Sequence, residues 1–414
     1  MAALLIATTQ APFPPRNGVT LAPAALARAL RARGHPVWVI HFDAERGGGG
    51  DECVGSGDAA TAREATRAAV DEFLPVAVRP TPAPALWWAE LSGRRPAFDR
   101  WRLPEADPML DRLRELPAPG LIWATPRNAV GSALALRERM AWHGTPLVAA
   151  VNDIWTGVLD RRRAAAPTLS RRGGAALRRP FMARAEGHLL SRADAVAVQS
   201  PADARVATQE LDLPRARVHV LSNGVDEELF RLALERPAHA VGWVGDATGG
   251  HYREGLRYLL GEVWPRVVEA RPGSRLLLAG PGTSRAAEEL GGGVPGVEAR
   301  GFVPSLPRVY EPLAVLAAPV FKGHGRINKV AEAMAAGVSV VGDATAFNGM
   351  DGFRPGVHGV VAERPEEMAS AILSLLNDPG RAARVAGAAR ALARTSFTWD
   401  GPVAMVERWL QEGV

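Results

Sequence analysis

The stretch Ala314-Val-Leu-Ala-Ala-Pro-Val-Phe-Lys-Gly-His-Gly-Arg-Ile-Asn-Lys-Val-Ala-Glu-Ala-Met-Ala-Ala-Gly337 decides the fold. An apolar run of strand length comes first. Phe321-Lys-Gly-His-Gly325 then reads as a glycine-punctuated turn, and a helical pattern starts near Arg326. Strand, turn and helix in this order form half of a β-α-β unit, which argues for a parallel α/β sheet.

The same rhythm extends in both directions. Strands are expected at 3–7, 36–42, 121–124, 146–151, 194–199 and 218–221 in the first half. In the second half they are expected at 241–244, 275–279, 297–303, 314–319, 339–342 and 359–362. Amphipathic stretches such as 23–33 and 366–376 separate them. A fresh β-α-β series opens after the polar, proline-containing connection at 226–239, and 414 residues suit two cores better than one. Two segments escape the pattern. Residues 46–57 hold a four-glycine run and read as a flexible loop. Residues 80–118 are rich in Pro and Trp (Trp87, Trp88, Trp101). They read either as an insert shaping a substrate pocket or as a surface excursion with its own hydrophobic cluster.

Composition narrows the class. Apolar residues make up 47% and charged residues 22%, the profile of a globular protein and not of a disordered one. The longest apolar runs fall far short of the roughly 20 residues that cross a bilayer. The N-terminus lacks a basic region before its apolar run, so it reads as a first strand and not as a signal peptide. A single cysteine, Cys53, makes neither an internal disulfide nor a thiolate metal site. A cytoplasmic location is therefore expected. The net charge is +5, and 47 of the 49 basic residues are arginine. With abundant Ala, Gly and Pro, this matches the imprint of a GC-rich bacterial genome. The two lysines, Lys322 and Lys329, both lie in the stretch quoted above. Between Arg161 and Arg192 there are nine arginines and one acid, Glu186. That segment reads either as a solvated basic helix or as a place of peripheral contact with anionic lipid headgroups at the inner membrane surface.

The chemistry-bearing residues concentrate where strand meets helix. Free N–H groups and the positive end of a helix following Gly323 and Gly325 form a natural cradle for phosphate. Arg326 and Lys329 fall in its expected first turn, where cations oppose the helix dipole unless an anion arrives. Glu332 lies where a carboxylate could accept both hydroxyls of a ribose. The competing reading is a Gly-rich turn before an ordinary helix, with Glu332 solvated. In the first half, Thr125-Pro-Arg-Asn128 follows a strand at the carboxyl end, where α/β folds place ligands. Arg127 and Asn128 could meet an acceptor or a phosphate there, or Thr125 and Asn128 could simply cap a helix.

Several stretches, in order, resemble family-4-type retaining glycosyltransferases of the GT-B fold. Glu332-Ala-Met-Ala-Ala-Gly337 with Val338-Ser-Val-Val341 is similar to the helix of that family's E-x7-E region, Glu-Ala-Met-Ala-x-Gly-x-Pro-Val-Val. Ser222-Asn-Gly-Val-Asp226 with Phe230 resembles the segment at the domain junction. Val241-Gly-Trp-Val-Gly245 and Leu276-Leu-Leu-Ala-Gly-Pro-Gly282 resemble the strands opening the second domain. Gly301-Phe-Val303, followed by Tyr310, resembles the turn that holds the nucleobase, and Phe397-Thr-Trp399 the segment before the terminal helix. In the first half, Pro14-Pro-Arg-Asn-Gly18 stands where the family has a Gly-rich loop, and Arg33-Gly-His-Pro-Val37 resembles its lead into strand two. The likeness spans nearly the whole chain and is patchy between residues 45 and 190.

The resemblance implies two Rossmann-like, doubly wound parallel-sheet domains facing a cleft: residues 1–226 binding the acceptor, 227–395 binding the nucleotide sugar, and 396–414 forming a helix that crosses back. It implies transfer of a sugar, of the hexosyl type, from a nucleotide-diphosphate donor (UDP-, GDP- or dTDP-linked) to an acceptor hydroxyl, with retention in the family's manner and without a bound metal or other cofactor. The acceptor could be a glycan, a lipid-linked sugar, a protein or a small molecule, and no nucleic acid is implied. Donor contacts map to Asn17, Gly18, Arg253, Gly282, Phe302, Val303, Gly323, Gly325, Arg326, Ile327, Asn328, Lys329 and Glu332. The acceptor side maps to Arg127, Asn128, Asn152 and Trp155.

Departures from the family pattern bear on the catalytic residues, His324, Asp153 and Glu332. His324 stands at the first Glu of E-x7-E, and Asn152-Asp153 stands for a His-Asp pair. Asp246 occupies a position where the family has Arg, with Arg253 as the replacement for its Lys. A branch of sugar transferases with Gly-Arg-Ile-x-Asn-Lys-Val-x-Glu-Ala-Met-like sequences is closer, and there Arg326 and Lys329 would take the phosphate role. An inverting enzyme would instead need a general base in the first domain, with Asp153 the candidate. Two rival readings are a nucleotide-sugar epimerase, which the scarcity of acids in the loop disfavours, and a non-catalytic GT-B protein that binds a sugar nucleotide.

Overall fold

The computed structural model describes the chain except residues 16–17, 44–55, 97, 166–168, 235–239, 249, 292 and 322–325; within helices, the side chains of 56–59, 161–165, 169–172, 175, 250–251 and 291 are also outside the description. The expected loop at 46–57 falls almost wholly outside the described residues. The chain divides into two compact units, Met1–Asn223 with Asp400–Val414, and Gly224–Trp399.

The first unit carries β1 (Leu4–Thr8), β2 (Val37–Asp43), β3 (Glu72–Ala77), β4 (Arg79–Pro80), β5 (Trp101–Arg102), β6 (Leu121–Thr125), β7 (Leu147–Val151), β8 (Ala195–Val198) and β9 (Val218–Val220). Seven of these form one parallel sheet in the order β3-β2-β1-β6-β7-β8-β9. Every residue of β1, β2, β6, β7 and β8 is buried. Helices cover both faces of such a sheet, so its strands read as continuous apolar runs. Strand β3 is absent from the expectations because Glu72 and Pro75 break its apolar run. It pairs only with β2, and an edge strand tolerates a proline that lacks a donor.

The irregular stretch 80–118 folds as two short helices, Ala83–Leu91 and Pro108–Glu115, with β4 and β5 pairing as a small antiparallel ribbon. Trp101, Leu110 and Leu113 join the main core of the unit, whereas Trp87 and Trp88 stay at the surface. The helix Asp400–Glu412 groups with the first unit. It packs on helix Gly18–Ala32, with Trp409 edge-on to His219 at 5.0 Å and Glu407 pairing with Arg33.

The second unit carries β10 (Ala240–Val244), β11 (Arg275–Ala279), β12 (Val297–Gly301), β13 (Leu313–Ala318), β14 (Ser339–Gly342) and β15 (Val360–Val361), a parallel sheet ordered β12-β11-β10-β13-β14-β15. Alternate strand residues feed two cores, one per face. Leu316, Ala318 and Val340 pack on one side, and Val315, Ala317 and Val341 on the other. One expectation shifts. The helix after β13 spans Asn328–Ala335, with extended, β-branched Ile327 at its N-cap, so Arg326 precedes the helix instead of lying in its first turn.

Candidate active site

In the second sheet, β10 and β13 are neighbours whose onward connections leave toward opposite edges. Crevices at such switch points, beyond the carboxyl ends of the strands, are where open α/β sheets bind ligands. The segment quoted at the outset begins there. Asp343, at the end of β14, accepts hydrogen bonds from the backbone N–H groups of Val320 (2.6 Å), Phe321 (3.2 Å) and Thr345 (3.1 Å). It thereby fixes the chain as it leaves β13, where Phe321 sits at a φ of 49°. The ends of β10 and β11 also approach closely. Gly280 has a φ of 128°, and a Cβ there would lie 2.0 Å from the Gly245 carbonyl oxygen.

Three charged side chains gather around the helix start. Lys329, in the first turn of helix Asn328–Ala335, is 9% exposed. Its Nζ lies 5.1 Å from the centre of the Trp243 ring and 4.0 Å from that of Tyr252. Among the described residues the ammonium makes no ion pair or hydrogen bond, so aromatic faces stand in for water. Burial pushes its pKa down to about 7, against the opposing pull of Glu332 and Asp343. Arg326 stacks over Phe397 at 4.7 Å. Its Nε is buried without a hydrogen bond, and burial lowers its pKa to about 10 while Asp351 pulls upward. Glu332 keeps a little exposed surface, although protein atoms crowd its carboxylate. Tyr310, wholly buried, donates to Glu332 Oε2 at 2.7 Å. Burial raises the Glu332 pKa, and the Tyr310 hydrogen bond works against that rise.

Arg253 pairs with Glu289 and donates to the Ala247 carbonyl at 3.2 Å. With Thr248, Gly282 and Arg285 these residues line a cavity of about 360 Å³. Asp246 accepts from the Thr248 N–H (2.9 Å) and hydroxyl (2.6 Å), closing the turn after β10. Past β12, Phe302 is exposed and Val303 packs against the core. Asn17, Gly323, His324 and Gly325 lie outside the described residues.

The first unit has its own switch point, between β1 and β6, bridged by the Thr9 hydroxyl donating to Asn128 Oδ1 at 3.1 Å. The Arg127 guanidinium lies 4.3 Å from the Trp155 ring centre and 5.5 Å from that of Phe98. Buried Glu186 accepts from the N–H groups of Trp155 (2.7 Å) and Thr156 (2.8 Å), capping the helix that Trp155 opens. Asn152 and Asn223 both donate to the Gly18 carbonyl, at 3.1 and 3.5 Å, and hold the entry to helix Gly18–Ala32. Asp153 follows Asn152 in the loop after β7 and is half-buried. Among the described residues, no cluster of three His, Cys, Asp or Glu side chains gathers that could hold a metal ion.

A family profile described as Glycosyltransferase Family 4 matches residues 16–229, more than half of the chain, and one described as Glycosyl transferases group 1 matches residues 238–378. The chain belongs to glycosyltransferase family 4. Comparison with curated protein sequences yields no match. Among solved structures, this glycosyltransferase is similar to HepE of Anabaena in complex with UDP and glucose (17% identity, 99% of this chain and 100% of the other, TM-score 0.65). It is also similar to the sucrose-phosphate synthase of Thermosynechococcus elongatus (16% identity, 99% and 98%, TM-score 0.64) and to a glycosyltransferase from Rickettsia africae (11% identity, 100% and 99%, TM-score 0.62). These likenesses place the glycosyltransferase in the GT-B fold.

The fold brings Arg326, Lys329 and Glu332 of the sequence candidates to one helix start, with Ile327 and Asn328 between them. Gly18, Arg127, Asn128, Asn152 and Trp155 gather at the carboxyl ends of β1, β6 and β7. Sequence reasoning missed Trp243 and Tyr252 as the faces that hold Lys329, and Asp343 as the brace of the turn. Nothing in the spacing tied either ring to a lysine far along the chain.

Proposed function

We propose that this family 4 glycosyltransferase moves a hexosyl group from a nucleoside diphosphate sugar to an acceptor hydroxyl, with Arg326, Lys329 and the N-terminus of helix Asn328–Ala335 receiving the diphosphate. One observation carries the reading: a buried lysine and a half-buried arginine stand at a helix start, and neither makes an ion pair among the described residues. A buried cation without a carboxylate is costly, and a diphosphate offsets that cost. Glu332, steadied by Tyr310, is placed to accept from ribose hydroxyls. Uridine is the first base to test, because HepE is seen with UDP and glucose.

In the reaction the bond from the anomeric carbon to the phosphate oxygen breaks, and a bond to the acceptor oxygen forms. The charge that develops on the departing diphosphate is met by Arg326, Lys329 and helix N–H groups, which are already oriented. In the retaining course the departing phosphate oxygen takes the acceptor proton, without a metal. In the inverting course a side-chain base such as Asp153 would take it. The configuration of the product's anomeric centre, read by NMR, separates the two. Incubation with a panel of UDP-, GDP- and dTDP-sugars tests the whole reading. Release of nucleotide that Glu332→Ala weakens at low donor concentration supports it; stabilisation by a nucleotide with no turnover in any acceptor-containing extract would leave a sugar-nucleotide binder instead.

A further inference from the structure

We propose that the surface made by helices Ala83–Leu91 and Leu169–Leu190 of the first unit docks on an anionic lipid bilayer. The proposal stands apart from the donor site. The two helices pack against each other. Glu90 takes a bidentate pair from Arg178 (2.5 and 3.0 Å), and three residues later a Cβ on Gly93 would lie 2.6 Å from Arg184 Cδ. Leu86 and Glu90 point inward, while Trp87 (65% exposed), Trp88 (74%) and Leu91 (46%) face solvent. The long helix adds Leu177 (76%) and Phe181 (40%).

Five large apolar side chains grouped on two adjoining helices exceed the scattered exposure that monomeric surfaces normally carry. Tryptophan is the side chain best suited to the headgroup layer, with an apolar ring and a polar N–H. Charge complementarity selects the occupant. Arg94 and Arg184 flank the patch, both exposed and without an ion pair or side-chain hydrogen bond among the described residues. Nearby acids are already engaged: Glu90 by Arg178, and Asp160 and Glu210 by Arg179. Glu186, the one acid between Arg161 and Arg192, is buried as a helix cap. Apolar side chains flanked by two unpaired arginines, with the acids of the long helix and its ion-pair partners already engaged, fit a bilayer that carries anionic headgroups.

The test is co-sedimentation of the full chain with vesicles of phosphatidylcholine and phosphatidylglycerol in equal parts, against phosphatidylcholine alone. The expected result is binding to the anionic vesicles only. Trp87→Ala with Trp88→Ala, and separately Arg94→Glu with Arg184→Glu, should each weaken it by about tenfold, with thermal melting unchanged. The arginine pair, being exposed, serves even if the tryptophan variant misfolds. Failure of the wild type to sediment with anionic vesicles would overturn the proposal, as would wild-type binding by both variants. So would self-association in solution that the tryptophan substitutions disperse without any vesicle binding, which would assign the patch to a second copy of the chain.

Discussion

Lys329 holds its ammonium 4.0 Å from the centre of the Tyr252 ring, a contact between the helix that follows β13 and the helix Gly250–Tyr258 that follows β10. The aromatic face helps keep a desolvated cation charged and aims it at the helix start. Tyr252→Leu should weaken nucleotide binding by about 1 kcal/mol, roughly fivefold in Kd, while Tyr252→Phe should keep nearly wild-type affinity. Isothermal titration with UDP measures both. Equal losses in the two variants would point to the hydroxyl and not to the ring.

The low pKa of Lys329 gives a pH dependence of defined sign. Burial lowers the folded-state value from 10.5 to about 7. Between those two values the unfolded chain holds a proton that the folded chain releases. The lysine's contribution to stability therefore rises with pH across this window, and its penalty is complete below about 7. A diphosphate prefers the charged form, so nucleotide affinity should fall as pH climbs past 7. Lys329→Met should flatten both trends, which urea unfolding and UDP titration at several pH values would show.

Tyr310 and Glu332 form a buried pair whose members can be altered one at a time. Tyr310→Phe removes the hydrogen bond that lowers the Glu332 pKa, so the carboxyl should become harder to ionise and the KM for donor should rise several-fold. The stability cost should be about 1 kcal/mol. Glu332→Ala should raise KM by at least about tenfold, since a hydrogen bond to a charged group is worth roughly 1.5–3 kcal/mol. Steady-state kinetics over a range of donor concentrations checks both.

Asp343 matters through the turn it braces. Its carboxylate accepts from three backbone N–H groups at the turn after β13 and at the following 3-10 turn. Asp343→Ala should cost about 3 kcal/mol or more by leaving donors unpaired, and kcat should fall because the turn carrying the site is no longer fixed. Thermal melting read beside kcat would detect this; an unchanged melting temperature would deny the bracing role.

The alternation of buried strands and amphipathic helices was legible in the sequence because doubly covered strands such as Leu4–Thr8 and Leu147–Val151 are apolar throughout. Strand β3 was not, since Pro75 and Glu72 are tolerated only because it lies at an edge, and edge position is a property of the assembled sheet. The two cations at the helix start were legible as charges near a glycine turn. Their surroundings were not: Trp243, Tyr252 and Phe397 reach Lys329 and Arg326 through tertiary packing that no local spacing encodes. Asn223 was quoted as part of a junction motif, but its grip on the Gly18 carbonyl depends on tertiary packing that brings the segment after β9 to the start of helix Gly18–Ala32.

The grouping of helix Asp400–Glu412 with the first unit has a consequence for biosynthesis. Residues 1–223 leave the ribosome early, but the partners of Arg33 and His219, namely Glu407 and Trp409, emerge only after the entire second unit. Until then the nascent first unit keeps an apolar face uncovered, so domain-by-domain folding during translation cannot finish in chain order. The last unit to appear is the first that can be completed.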